Sequence, residues 1–461
     1  MTRSSSRSWI LILPAALFVG ILPLTHTIAL RLLVLAVTVV AAAYVWRREG
    51  APALPARGAL LVWAALAIAS LAWSVDVDYS RGEVVNEIGF AMAAFLSFFV
   101  LSRRESELRH VLLALVASVG LISLFAIGSY FVHDDWYVGK AIGVGDRNAF
   151  STTITLIFPA LMFILANSRL GVAPPPVIWL VLALGVVAGA LTQNRIMWLA
   201  IGAAAAVFLL ANYSTRLRTA RTRLLAFGLA GLIAFVSATQ FVVINMIKRG
   251  EQSAVDSVMA VVQRDERLHI WTYALERVNE RPVFGHGFGR GILRQGFRAT
   301  LGNKLHWHAH NALLNKTIEL GLAGLAAYCA VLIALGAAFW KLRQASEPLA
   351  RSLGAFGLAL LACMIVRSLT DDTIVRENAL LFWSLTGMAL GLGARRTSAS
   401  SSPECAPGRS STKSCLPTAK PRSPRHIPSC ASRAPMAGPM RPGSTSSSAG
   451  SRPMRCRRPT L

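Results

Sequence analysis

The chain predicts an all-α polytopic membrane protein of about twelve transmembrane helices with one long external loop. Three observations predict it. Of 461 residues, 54% are hydrophobic and only 15% are charged, whereas a soluble protein covers its surface with about 25% charged residues. The apolar residues arrive in runs long enough to cross a hydrocarbon layer of about 30 Å as helices. Basic residues are also shared unevenly between the connecting loops, eighteen on one side and seven on the other. That asymmetry orients membrane helices.

Hydropathy predicts spans near 9–24, 28–46, 58–74, 84–101, 108–131, 148–166, 177–191, 196–211, 224–244, 311–340, 352–369 and 377–394. The first reads as a retained anchor, because no small-residue cleavage site follows its apolar run. The seventh and eighth are short and flank Gln193-Asn194-Arg195. The arginine-rich loops, such as Arg47-Arg48, Arg103-Arg104 and Arg216 to Arg223, lie on the cytoplasmic side with both termini. The organisation expected is therefore 1–244 for helices one to nine, 245–310 for a periplasmic loop, 311–396 for helices ten to twelve, and 397–461 for a tail.

Within the loop, Leu268, Trp271, Leu275 and Val278 recur at helical spacing and predict a helix lying along the membrane surface. The turn Gly285 to Gly291 follows, and its backbone N–H groups could serve a phosphate. The tail holds 11 Lys/Arg, Glu404 as its one acid, and 11 of the chain's 21 prolines, without Phe, Trp, Tyr or Val. Such a segment cannot bury a core and is expected to be disordered.

The net charge of +25 would suit a nucleic-acid partner, but it sits in short loops and the tail, and no basic binding motif accompanies it. The expected partner is membrane lipid. Of the six cysteines, Cys329 and Cys363 fall in spans and four are scattered in the tail without metal-ligand spacing, so neither disulfides nor zinc are expected.

Most spans lack ionisable residues in their middle. The exceptions gather near the external ends: Arg31, Glu83, Glu87, Arg147, Arg195, Lys316, Glu319 and Arg367. Charge at membrane depth is costly, so such a gathering points to function. A transporter would set its polar groups near the midplane instead. The sharpest feature is Trp307-His308-Ala309-His310-Asn311 at the start of the tenth span. His310 at a helix N-terminus stays neutral and can accept a proton, although capping alone would also explain it. Asn311, Asn315 and Glu319 then line one face of the helix.

His306, His308 and His310 alternate and could bind zinc, but no carboxylate lies close in sequence; no metal and no cofactor are expected. Arg195 and Arg267 are suited to phosphate oxygens, because a guanidinium donates two parallel hydrogen bonds. The plainer alternatives are an interface anchor and a solvated helix face. Asp76-Val77-Asp78 has the form of a metal-binding tripeptide, and ordinary loop residues account for it better.

Arg267-Leu268-His269-Ile270-Trp271, Arg281-Pro282-Val283-Phe284-Gly285-His286-Gly287, and His310-Asn311 followed nine residues later by Gly321-Leu322-Ala323-Gly324 resemble motifs of the O-antigen ligase and Wzy-type polymerase superfamily. Thr192 to Arg195 and Asp146-Arg147-Asn148 sit where that family has its polar helix starts. The resemblance implies a metal-independent, inverting glycosyltransferase of the bacterial inner membrane with a GT-C-like fold. Its donor would be an undecaprenyl-pyrophosphate-linked glycan on the periplasmic face; its acceptor would be lipid A-core or a growing polysaccharide.

The implied roles put Arg195 and Arg267 on the pyrophosphate and His310 on the acceptor hydroxyl. His308, Asn311, Arg147, Glu319 and Lys316 would support them. Asn194 departs from the small residue often found before the first arginine, and His308 competes with His310. Polymerase, protein-directed O-glycosyltransferase and, outside enzymes, transporter remain the alternatives.

Overall fold

The computed structural model describes residues 8–133, 147–213, 266–302, 306–373 and 376–401, and among them every regular element is helical. In chain order these are α1 (Ser8–Ile21), α2 (Ile28–Glu49), α3 (Arg57–Ala69), α4 (Val77–Glu83), α5 (Ala91–Leu101), α6 (Glu105–His133), α7 (Arg147–Ala166), α8 (Pro175–Leu191) and α9 (Arg195–Tyr213). They continue as α10 (Glu266–Glu280), α11 (Arg294–Leu301), α12 (Ala312–Arg343), α13 (Pro348–Ser368) and α14 (Arg376–Ser401). A π-helical stretch, Val84–Phe90, joins α4 to α5, so one continuous span runs Val77–Leu101.

Among the described residues, seven helices are long and apolar enough to cross a membrane, and three shorter apolar ones accompany them. The protein is thus an all-α, multi-pass membrane protein. The expected ninth span, 224–244, lies outside the described residues, as do 245–265 of the loop. Two expectations need adjusting. The fourth span begins at Val77 rather than near 84, because Asp76 caps it through the Tyr79 amide at 3.1 Å. The last helix continues to Ser401, past the expected tail boundary at 397; residues 402–461 lie outside the described set.

Helices in lipid gain little from hydrophobic contact and depend on close packing, which small residues permit. On α14 a Cβ at Gly387 or Gly391 would stand 2.3 and 2.2 Å from the carbonyl oxygens of Phe95 and Phe99. Both glycines let α14 lie against the α5 backbone. Gly357 of α13 does the same against the Phe339 ring of α12.

The predicted helix over 267–279 is present as α10, with one face packed on the protein and another left open. Ile270, Tyr273 and Ala274 are buried against Phe297, Ala309 and Ile318, while Leu268 and Leu275 are exposed. The partner of the packed face is α11. Its Phe297 ring meets Tyr273 edge-on at 4.8 Å.

The longest span is broken. At Gly321 the backbone of α12 takes φ 66° and ψ −163°, and the chain from Pro282 to Gly287 fills the break. The His286 and Gly287 amides donate to the carbonyls of Ile318 and Glu319, both at 2.9 Å, and the Leu322 amide donates to Pro282 at 2.8 Å. Side chains are excluded from this crossing. A Cβ on Gly321 would come within 2.2 Å of the Val283 backbone, and one on Gly285 within 2.6 Å of Glu319. Broken helices survive at membrane depth only where freed backbone groups find new partners; here the glycine-rich turn supplies them.

Candidate active site

The break places the polar face of α12 against its surroundings. Asn311 caps the helix, its Oδ1 accepting from the Leu314 amide at 3.1 Å, so His310 stands just outside the first turn. His310 has φ 47°, a left-handed conformation that is uncommon for a residue with a side chain. Asn315, 1% exposed, accepts from the Ala309 amide at 2.9 Å and donates to Asp372 at 3.2 Å. The strained turn is therefore held from both sides.

His308 and His310 have different surroundings. His308 is 3% exposed, and its Nδ1 accepts the His310 backbone N–H at 3.0 Å. That fixes the neutral ring with its proton on Nε2, and burial, with His310 and Arg290 beside it, pushes its pKa down to about 2. The His310 side chain is 29% exposed, with Nδ1 3.6 Å from Asp371. Asp371 is the group that reading the sequence missed. Burial raises its pKa, but the His310 imidazole, His308, Arg367 and Asn148 outweigh burial and hold it below the ordinary carboxylate range.

The polar contacts extend outward on two sides. Asn148, at the start of α7, donates to Asp371 and accepts from Arg367. Asn194 donates to Asn148 Oδ1 and to Ser151, both at 2.9 Å. The helix start bearing Arg195 is therefore joined to Asp371 through two asparagines. On the other side, Trp271 Nε1 donates to the Ala309 carbonyl at 3.0 Å, and Arg267 lies one helical turn before Trp271. Arg195 is half-buried and Arg267 exposed, and neither is without a partner. Arg147 is the first residue of α7, and its side chain lies outside the described set.

Other sequence-stated candidates turn inward. Lys316 Nζ lies 2.9 Å from both Glu319 oxygens, 3.4 Å from Glu87 and 4.0 Å from Asp372, all of them buried. Glu319 also accepts from the Gly289 amide at 3.2 Å. The glycine-rich turn does not offer its N–H groups to a ligand. The Gly285, His286, Gly287, Phe288, Gly289 and Gly291 amides all donate within the protein. Asp76 is spent on the α4 cap, and the Asp78 side chain is 90% exposed and faces Arg81. Arg31 pairs with Glu377 at 3.6 Å.

His308, His310 and Asp371 offer ligand atoms within 4.8 Å of one another, an arrangement that could hold a metal ion. The carboxylate that sequence proximity did not provide comes from the far end of α13. A cavity of about 480 Å³ opens beside His306, lined by His269, Tyr273, Glu276 and Thr300.

A multi-pass helical membrane protein with a part-exposed histidine facing a buried carboxylate has the form of a membrane-embedded enzyme. In comparison with known proteins, residues 178–329 match the O-antigen ligase family model. A stretch of 69 residues is 38% identical to a protein of Rickettsia prowazekii (strain Madrid E) whose name offers it as a polysaccharide ligase. That stretch covers 13% of this chain and only 17% of the relative. Residues 178–329 therefore carry an O-antigen ligase domain, and over those residues the chain is similar to the O-antigen ligase superfamily. The matched region holds Arg195, Arg267, the glycine-rich turn, His310 and the Gly321 break.

Proposed function

We propose that the protein transfers a glycan from undecaprenyl pyrophosphate to an acceptor hydroxyl at the periplasmic face of the inner membrane, with lipid A-core as the acceptor. The observation that carries this reading is the part-exposed His310 imidazole facing Asp371. His310 Nδ1, protonated and turned to Asp371, leaves Nε2 to accept the proton of the acceptor hydroxyl. The freed oxygen attacks the anomeric carbon as the bond from that carbon to the diphosphate oxygen breaks, and the diphosphate leaves with the electron pair.

A single displacement inverts the anomeric centre. Arg195 and Arg267 stabilise the charge gathering on the departing diphosphate, the kind of electrostatic preorganisation that supplies much of enzymatic rate enhancement. Asp371 stabilises the imidazolium, and its 3.6 Å separation suits a contact that tightens when substrate is bound. The 480 Å³ cavity beside His306 has room for a sugar. No metal takes part.

The test is the lipopolysaccharide of a deletion strain complemented with the native chain or with His310→Ala. A ligase leaves normal core without O-antigen when absent or inactivated. A single repeat on core would instead assign polymerase activity, and full-length O-antigen in the His310→Ala strain would overturn the mechanism. Transfer should survive exhaustive chelation; its loss, with recovery on adding a divalent cation, would assign His308, His310 and Asp371 to a metal.

A further inference from the structure

A second cavity, of about 230 Å³, carries a charge arrangement that the proposed transfer reaction does not use. Arg290, Arg294, Arg298 and Arg376 converge on it, against the carboxylates of Glu83 and Glu87. Glu87 is already turned to Lys316 at 3.4 Å, so the cavity is short of negative charge. Neither Arg195 nor Arg267 lines it.

The arginines are held rather than loose. The Arg290 guanidinium stacks over the Trp307 ring at 4.7 Å, and that of Arg294 over Tyr79 at 4.6 Å. Stacking on a ring face leaves the guanidinium edge, with its N–H donors, open to an acceptor. Arg294 also meets Asp76 at 3.6 Å.

Arg290 and Arg376, by contrast, have no carboxylate within ion-pair distance among the described residues. Arg376 is the first residue of α14, where the helix dipole disfavours a cation, and it takes φ 49°. A cation set against a helix dipole, on a left-handed backbone and without a counter-charge, is stabilised by an anion brought between it and its neighbours.

We infer that this cavity binds a phosphate-type anion, a phosphomonoester or diphosphate group, at a site separate from the Arg195 and Arg267 pair. Its volume is below that of pockets for drug-sized ligands, about 300–1,000 Å³, and fits a phosphate with part of the group that carries it. The Trp307 ring under Arg290 lies 4.4 Å from that of His308, which puts the cavity beside the histidine cluster. Two sources carry this chemistry: a phosphorylated acceptor and the diphosphate of the donor. That choice of sources rests on the transfer reading; the anion site itself does not.

The probe is inorganic pyrophosphate, titrated calorimetrically into the full chain in detergent, in an Arg195→Gln/Arg267→Gln background so that one site remains. Binding should persist in that background. Adding Arg290→Gln or Arg376→Gln should weaken it by about tenfold or more, the scale of a charge-assisted hydrogen bond, while Arg290→Lys and Arg376→Lys retain most of it. An unchanged melting temperature separates loss of the site from loss of the fold. No binding in the background, or binding unaltered by both Gln substitutions, overturns the proposal.

In a reconstituted transfer assay, Arg376→Gln in the otherwise native chain should raise one KM. A rise for the acceptor alone assigns the anion to the acceptor, and a rise for the donor alone to the donor. Should His310→Ala prove harmless to transfer while pyrophosphate binding still depends on Arg376, the catalytic reading falls and the anion site stands.

Discussion

Two polar clusters lie within two turns of each other at the start of α12, and they have opposite character. The inner one, Lys316 with Glu319, Glu87 and Asp372, is closed: a single cation meets its acids in the protein interior, and even the Gly289 amide is drawn in. The outer one, His310 with Asp371, is open: the imidazole is part-exposed and 3.6 Å from its carboxylate. Both contain residues that sequence alone marks as unusual at membrane depth. Satisfaction separates them. A fully paired buried cluster holds the fold together, whereas an accessible, loosely paired one has capacity left for a substrate.

The largest effect expected follows from the open cluster. His310→Ala should lower the transfer rate by about 10²–10⁴-fold, the scale of general-base assistance, with the melting temperature of the purified protein nearly unchanged. A large fall in melting temperature would make His310 structural and erase the contrast.

Lys316→Met should act the other way. Removing one partner of a buried ion cluster costs about 3–5 kcal/mol, so folded yield and melting temperature should drop sharply. The double substitution Lys316→Met/Glu319→Met should recover part of the loss, because it removes the stranded charge. No recovery would mean the cluster does more than pair charges.

Asp371→Asn keeps the shape of the open cluster and removes its charge. Transfer should fall about 10–100-fold, a fraction of the general-base contribution, mainly in kcat rather than in KM for either substrate. A change confined to KM would move Asp371 from supporting the imidazole to binding substrate.

Gly321→Ala tests the frame that both clusters share. The left-handed backbone alone costs about 1–2 kcal/mol for a residue with a Cβ, and that Cβ would meet the Val283 backbone. The melting temperature should fall and transfer with it. A variant that folds normally would show that the turn and the break are not coupled. His308→Asn gives the smallest effect of the series: a modest loss of stability with transfer largely kept, since the buried ring is already engaged by the His310 amide.

Much of the fold was legible from the sequence, and the reason is local. Apolar runs such as 352–369 give the helices Pro348–Ser368 and their neighbours because every backbone group in lipid must be satisfied within its own segment. The motif around His310 was legible as well, since a histidine followed by an asparagine cap and an apolar run marks a helix start. Asp371 was not. It lies 61 positions from His310, and nothing in its own neighbourhood distinguishes it from a loop acid; only the antiparallel run of α12 and α13 brings the two together.

The glycine-rich turn was visible but misassigned. Its residues suggest a phosphate nest, and the structure gives their amides to α12 and to Ser70 and Tyr79. The arginines at 290, 294 and 298 lie far from Arg376 in the sequence, and only the fold sets all four around one cavity.

By itself the sequence determined the class of the molecule, its helical spans, and the two histidines and two arginines that could do chemistry, because hydropathy, caps and residue chemistry act over a few neighbouring positions. Only the tertiary structure decided which histidine is sealed and which is accessible, which carboxylate faces it, and where four guanidiniums converge. Burial and charge pairing depend on what distant segments bring to the same place, and no stretch of the chain carries that information alone.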